Sequence, residues 1–158
     1  MGATAGRHRN GLQCGPSVAR RLSGFDVNVV AYDPYVPPSA TEQSGARAIA
    51  LDDLLGTEDI VTLDLPLTAE MSGLLDARRL APLRPSAYLI NTARGGILDE
   101  EALARRFRED LLRGTGLDCF AVGPPGVIPC WCCRRWCSVR MLVCTRGKPS
   151  LWIKDATL

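Results

Sequence analysis

The chain has 158 residues, 46% of them apolar and 23% charged, which suits one globular domain with a real core and excludes both two comfortable domains and global disorder. Its 19 basic and 17 acidic residues give a net charge of +2 and a pI near 8.2, and they are scattered rather than gathered into a basic run, so nucleic acid is not an expected partner. No window approaches the roughly 18 uninterrupted apolar residues of a membrane helix, and the opening MGATAGRHRNGLQCG has no apolar leader core, so no membrane partner is expected and the location expected is cytoplasmic.

Residues 16–24, PSVARRLSG, read as a short helix: proline suits a first turn, Val18, Ala19 and Leu22 share a face, and Gly24 suits the stop. The β-branched run from Val27 to Tyr32 reads as a strand. Residues 33–46 are rich in Pro, Ser and Gly and read as a surface connection, followed by a short helix over Leu51 to Leu55 and a strand from Ile60 to Leu63. After Pro66, the residues Leu74, Leu75, Ala77 and Leu80 suit a short amphipathic helix that ends before Pro82 and Pro85. Tyr88 to Asn91 is the next strand. Asp99 then offers a helix cap, Glu100 and Glu101 fall in the positive first turn, and Ala102, Leu103 and Phe107 make one apolar face. Gly116-Leu117-Asp118 marks the exit of a last strand.

Short strands alternating with helices argue for an α/β fold, a Rossmann-type doubly wound parallel sheet with right-handed crossovers. In such sheets ligands bind outside the carboxyl ends of the strands. Arg94 stands at one such end, in Asn91-Thr92-Ala93-Arg94-Gly95-Gly96, and is the foremost candidate functional residue. Asp33 stands at another, eighteen residues after Gly15, where a carboxylate can accept hydrogen bonds from an adenosine ribose and repel a 2′-phosphate, favouring NAD over NADP. A plain turn-forming Asp-Pro is the alternative reading of Asp33.

The segments AYDPY at 31–35, VTLDLPLT at 61–68, LINTARGGILDEEAL at 89–103 and GLDCF at 116–120 resemble the D-isomer-specific 2-hydroxyacid dehydrogenases, over a span from about Gly15 to Phe120. The resemblance implies an NAD-binding domain over residues 15–121, an irregular segment at 1–14, a truncated sheet, and an irregular Cys/Trp-rich tail at 122–158. It also implies an oxidoreductase of CH–OH donors with a small 2-oxo or 2-hydroxy acid as substrate and a homodimer as the common assembly. By the same resemblance, Gln13 and Cys14 occupy the positions whose backbone faces the pyrophosphate, and the backbone at Leu65 lines the cofactor cleft. Thr92 and Ala93 face the nicotinamide, Arg94 binds the carboxylate and carbonyl of the substrate, and Asp118 meets the nicotinamide carboxamide. Asp118 also reads as an ordinary strand-terminating residue.

Four departures from the family's pattern stand out. Counting back from Gly15 as the last glycine of a GxGxxG turn puts Asn10 and Leu12 where the first two belong, and allowing one deletion puts Gly11 first but Gln13 second, so weak dinucleotide affinity is expected. The polar opening MGATAGRHR is a poor first strand, which is expected to be missing. Asp64 stands where the family usually has histidine. The family's acid–base histidine and glutamate have no counterpart either: the single histidine is His8 and no glutamate follows Glu109. From about residue 122 the chain carries all three tryptophans and five of its seven cysteines, the pattern a shifted reading frame produces. Cys130 and Cys133 have CxxC spacing, with Cys137 and Cys144 beyond, but no second close pair follows and no metal site is expected.

Overall fold

The computed structural model describes residues 2–5, 14–121 and 142–145. Their elements run β1 (Gly2–Ala5), α1 (Cys14–Leu22), a 3-10 turn (Ser23–Phe25), β2 (Val30–Tyr32), α2 (Pro38–Glu42), β3 (Arg47–Ala48) and α3 (Leu51–Thr57), then β4 (Ile60–Asp64), α4 (Ala77–Leu80), β5 (Tyr88–Asn91), α5 (Glu100–Arg108), β6 (Gly114–Leu117) and β7 (Leu142–Thr145). They form one seven-stranded sheet in the order β3-β2-β1-β4-β5-β6-β7. The strands β1 to β6 are parallel, and β7 pairs antiparallel to β6. A sheet that grows outward from β1 and then restarts on its other side at β4 is the doubly wound order, with a crevice between the halves.

The expected α/β architecture is thus present, with differences that have local causes. Gly2–Ala5, expected to be no strand, occupies the centre of the sheet between β2 and β4. Its weak intrinsic propensity is overridden by ladder pairing on both sides. The sheet also takes in Leu142–Thr145, from the segment expected to be irregular; the cysteines Cys130, Cys133 and Cys137 lie outside the described residues. Within the connection at 33–46, Pro38 opens the short helix α2 from the position where its missing N–H costs nothing.

The helix expected over 74–80 shortens to Ala77–Leu80, because Leu75 is spent on a parallel bridge to Leu98: Leu75 N donates to Ile97 O at 3.0 Å and Asp99 N to Leu75 O at 3.0 Å. Asp76 caps what remains, accepting from Arg79 N at 2.8 Å. In α5 the expected cap forms, with Asp99 Oδ1 accepting from Ala102 N at 2.9 Å, while Glu100 and Glu101 lie in the first turn and Arg105, Arg106 and Arg108 in the last. Acids at the start and bases at the end both oppose the helix dipole.

The main core gathers Leu54, Leu55, Leu63, Leu75, Leu80, Leu83, Leu89 and Ile97 between the sheet and α3, α4 and α5. Alternation along β2 sends Val30 to this cluster and Val29 and Ala31 to a smaller one with Ala19 of α1 and Ala46.

Candidate functional site at the carboxyl edge

Parallel register fixes which side chains leave the sheet together. Tyr32 lies opposite Thr4, Ala5 opposite Asp64, Leu63 opposite Asn91 and Asn91 opposite Leu117. The residues that follow, Asp33, Leu65, Thr92 and Asp118, therefore emerge along one edge. The structure brings Asp33, Thr92, Ala93, Arg94 and Asp118 to that edge. Gln13 lies outside the described residues, and Cys14 is the first residue of α1.

At the β2 end, Asp33 is half-buried, and its Oδ1 accepts from Tyr35 N at 2.9 Å, an Asx turn that sets the carboxylate against the strand exit. Asp33 shares a cavity of about 30 Å³ with Gly15 and Pro16 at the start of α1 and with Ala19, Ala31 and Thr41. At the β4 end, the Leu65 backbone leaves the strand at this edge while its side chain is buried in the main core. Asp64 beside it is half-buried, and its Oδ2 lacks a hydrogen-bond partner among the described residues. Burial pushes the Asp64 carboxyl above its ordinary range, with a hydrogen bond to Thr62 pulling the other way.

The turn after β5 is held from inside by Asn91, only 1% exposed. Its Nδ2 donates to Arg94 O at 3.0 Å, its Oδ1 accepts from Ala93 N at 3.1 Å, and its carbonyl accepts from Asp118 N at 3.0 Å. One buried residue thus fixes both, its side-chain amide holding Ala93 and Arg94 and its main-chain carbonyl holding the first residue after β6. Motif reading missed this residue, although an Asn at a strand end before a turn is a sequence signal for such a clamp. Gly95 completes the junction: a Cβ there would run into the carbonyl group of Phe120 and the amide nitrogen of Ala121. That amide donates to Glu100 Oε1 at 2.7 Å.

Arg94 is exposed, with Nη1 donating to Ala93 O at 2.6 Å. The half-buried Cys119 registers the charges beside it. Burial pushes its thiol pKa up, Asp118 and Glu100 add to the rise and Arg94 opposes it. Chemically the edge offers a half-buried carboxylate at one end and, two strands beyond β1, a fork of cationic donors next to a second carboxylate. Among the described residues no group of three or more His, Cys, Asp or Glu could hold a metal ion, and no helix is long and apolar enough to cross a membrane.

A reversed strand order with a carboxylate after the second strand defines a doubly wound nucleotide-binding unit. The profile described as "D-isomer specific 2-hydroxyacid dehydrogenase, NAD binding domain" matches residues 13–134. D-3-phosphoglycerate dehydrogenase of Mycobacterium leprae is 44% identical over 110 residues, covering 70% of this chain and 21% of that protein. D-lactate dehydrogenase from Aquifex aeolicus, solved with NAD and lactic acid, superposes with a TM-score of 0.67 at 30% identity, over 77% of this chain and 35% of that one. A Pyrococcus horikoshii protein superposes with a TM-score of 0.71 at 28% identity, over 81% and 37%. The chain belongs to the D-isomer specific 2-hydroxyacid dehydrogenase family, and what it carries is that family's NAD-binding domain. It spans about a fifth (21%) of the length of the Mycobacterium leprae relative.

The described residues fit NAD. The Asp33 carboxylate stands at the exit of β2 and lines a small cavity with Gly15 and Pro16 at the start of α1, a placement compatible with accepting from a ribose diol.

Proposed function

We propose that this chain binds NAD(H) along the carboxyl edge as the nucleotide-binding portion of a cytoplasmic D-2-hydroxyacid dehydrogenase, an NAD-dependent oxidoreductase of CH–OH donors that works as a homodimer. Residues 15–121 are the body of this domain. What supports the reading is the single row of Asp33, Arg94 and Asp118 on the exits of strands whose register is fixed by pairing. In it, Asp33 accepts from the adenosine ribose hydroxyls, the backbone at Gln13 and Cys14 meets the pyrophosphate, and the backbone at Leu65 together with Thr92 and Ala93 lines the cleft. Asp118 holds the carboxamide. Arg94 receives the carboxylate and carbonyl of a small 2-oxo acid through its fixed fork of donors. When bound, the nicotinamide supplies hydride chemistry.

The proton that must accompany a hydride needs a donor near neutral pH, and the sequence offers one histidine, His8, and no glutamate beyond Glu109. The 158-residue chain on its own is therefore a binder without turnover, in the manner of a nucleotide-sensing interaction module. Titrating NADH fluorescence tests this: saturable enhancement in the millimolar range is expected, weakened in Asp33→Ala, with no loss of NADH absorbance on adding hydroxypyruvate or glyoxylate. Absence of saturable binding overturns the proposal. Steady NADH consumption overturns its non-catalytic part.

A further inference from the structure

β1 has β2 on one side and β4 on the other. The loops leaving β2 and β4 therefore face each other over the exit of β1, two strand spacings or roughly 10 Å apart. Ligands of doubly wound sheets lie in that crevice. Among the described residues one side chain spans it: the Tyr35 hydroxyl donates to Glu70 Oε2, joining loops that the sequence separates by 35 positions.

Both feet of this tie are fixed. On the β2 side, Tyr35 N donates to Asp33 Oδ1 at 2.9 Å, so the residue that reaches across also holds the Asp33 carboxylate in its turn. On the β4 side, Glu70 lies in a turn where Met71 N donates to Thr68 O at 3.1 Å and to Thr68 Oγ1 at 3.3 Å, and Ser72 N to Thr68 O at 3.0 Å. Met71 anchors that turn in the main core. The hydrogen bond to Glu70, then desolvation and the charge of Glu70, push the Tyr35 hydroxyl above its ordinary pKa, with Thr68 opposing and Asp33 adding a smaller rise. Tyr35 therefore remains a donor at neutral pH, and its hydroxyl lies within the field of both carboxylates.

We infer that Tyr35 and Glu70 are positioning residues for the coenzyme, a crossbar that braces the Asp33 turn against the core-anchored loop after β4 and keeps a second carboxylate beside the adenosine end of the crevice. The inference rests on the NAD reading above. Tyr35 is 53% exposed, so removing its hydroxyl leaves the core untouched while freeing the turn. A 2′-phosphate would enter a region that already holds the charges of Asp33 and Glu70, so the pair also serves the choice of NAD over NADP.

The test titrates NADH and NADPH against the 158-residue chain as wild type, Tyr35→Phe, Glu70→Gln and the double variant, with Asp33→Asn as a reference. Each single substitution is expected to weaken NADH binding about 3- to 10-fold, the size of one hydrogen bond. The double variant is expected to be no weaker than either single, because both remove the same tie. The preference for NADH over NADPH narrows, and the unfolding midpoint stays put. If wild type shows no saturable NADH binding, the coenzyme reading itself fails. If wild type binds and the singles bind equally well, or their losses multiply in the double variant, the crossbar is refuted and the coenzyme reading survives. Equal losses for NADH and NADPH also refute it, since they signify general loosening.

Discussion

Against α3, α4 and α5 the sheet presents Val61, Leu63, Leu89 and Leu117 within a leucine-dominated cluster, whereas against α1 it presents Val29 and Ala31, which with Ala19 and Ala46 make up the second cluster among the described residues. Burying a leucine side chain contributes about 1.5–3 kcal/mol, and an alanine methyl well under half of that. Long side chains interlocked at interior density cannot shift without opening voids. The leucine-rich face therefore makes a stiff base for the loops after β5 and β6, where Arg94 and Asp118 sit. The alanine-rich face packs Ala19 of α1 with Val29, Ala31 and Ala46 and leaves the small cavity at the Gly15–Asp33 corner. One end of the cleft rests on interlocked leucines and the other on small side chains, and the Tyr35–Glu70 tie links the second to the core-anchored loop after β4.

The sharpest way to break this contrast is to truncate one residue on each face. Leu89→Ala, at a side chain that is fully buried, is expected to cost about 3 kcal/mol or more in urea denaturation, against about 1 kcal/mol for Ala31→Gly. Equal costs would erase the distinction between the faces. Gly95→Ala, which drives a methyl group into the Phe120 carbonyl, is expected to cost about 3 kcal/mol and to abolish any binding of a 2-oxo acid that depends on Arg94. A variant of unchanged stability would show that the β5 and β6 exits are not in contact.

Asn91→Ala removes two buried side-chain hydrogen bonds and is expected to cost about 2 kcal/mol, while NADPH discrimination at the far end of the cleft stays as it was. A change in that discrimination would mean that the two ends are not separable. The smallest effect belongs to Asp64, whose carboxyl is raised by burial above 3.8. Burying it costs nothing while both folded and unfolded chains are protonated; the cost grows as pH rises through the folded pKa and is full above it. Asp64→Asn should therefore raise the urea midpoint at neutral pH, and the gain should vanish on acidifying below about 3.8. A gain that persists in acid would assign it to packing instead.

Local signals carried much of this fold. The β-branched run ending at Tyr32, the strand Tyr88–Asn91 and the Asp99 cap with its paired glutamates were legible because run, stop and cap lie within a few residues of one another. Gly2–Ala5 was not, since nothing in GATA favours a strand and only its two neighbours make it one. The shortened α4 was hidden likewise, because the partner of Leu75 is Leu98. In the site, the strand-end positions of Asp33, Arg94 and Asp118 could be read from runs that stop. The bond between Tyr35 and Glu70 could not, because a hydrogen bond across 35 positions leaves no periodic mark.

The amide nitrogens of Ala93 and Asp118 both donate to Asn91, one to its side chain and one to its carbonyl. Two amides whose acceptors sit on one buried residue are expected to be protected by the same local opening. In deuterium oxide these two protons, far apart in sequence, should show matching protection, which reports how often the rim carrying Arg94 and Asp118 comes loose.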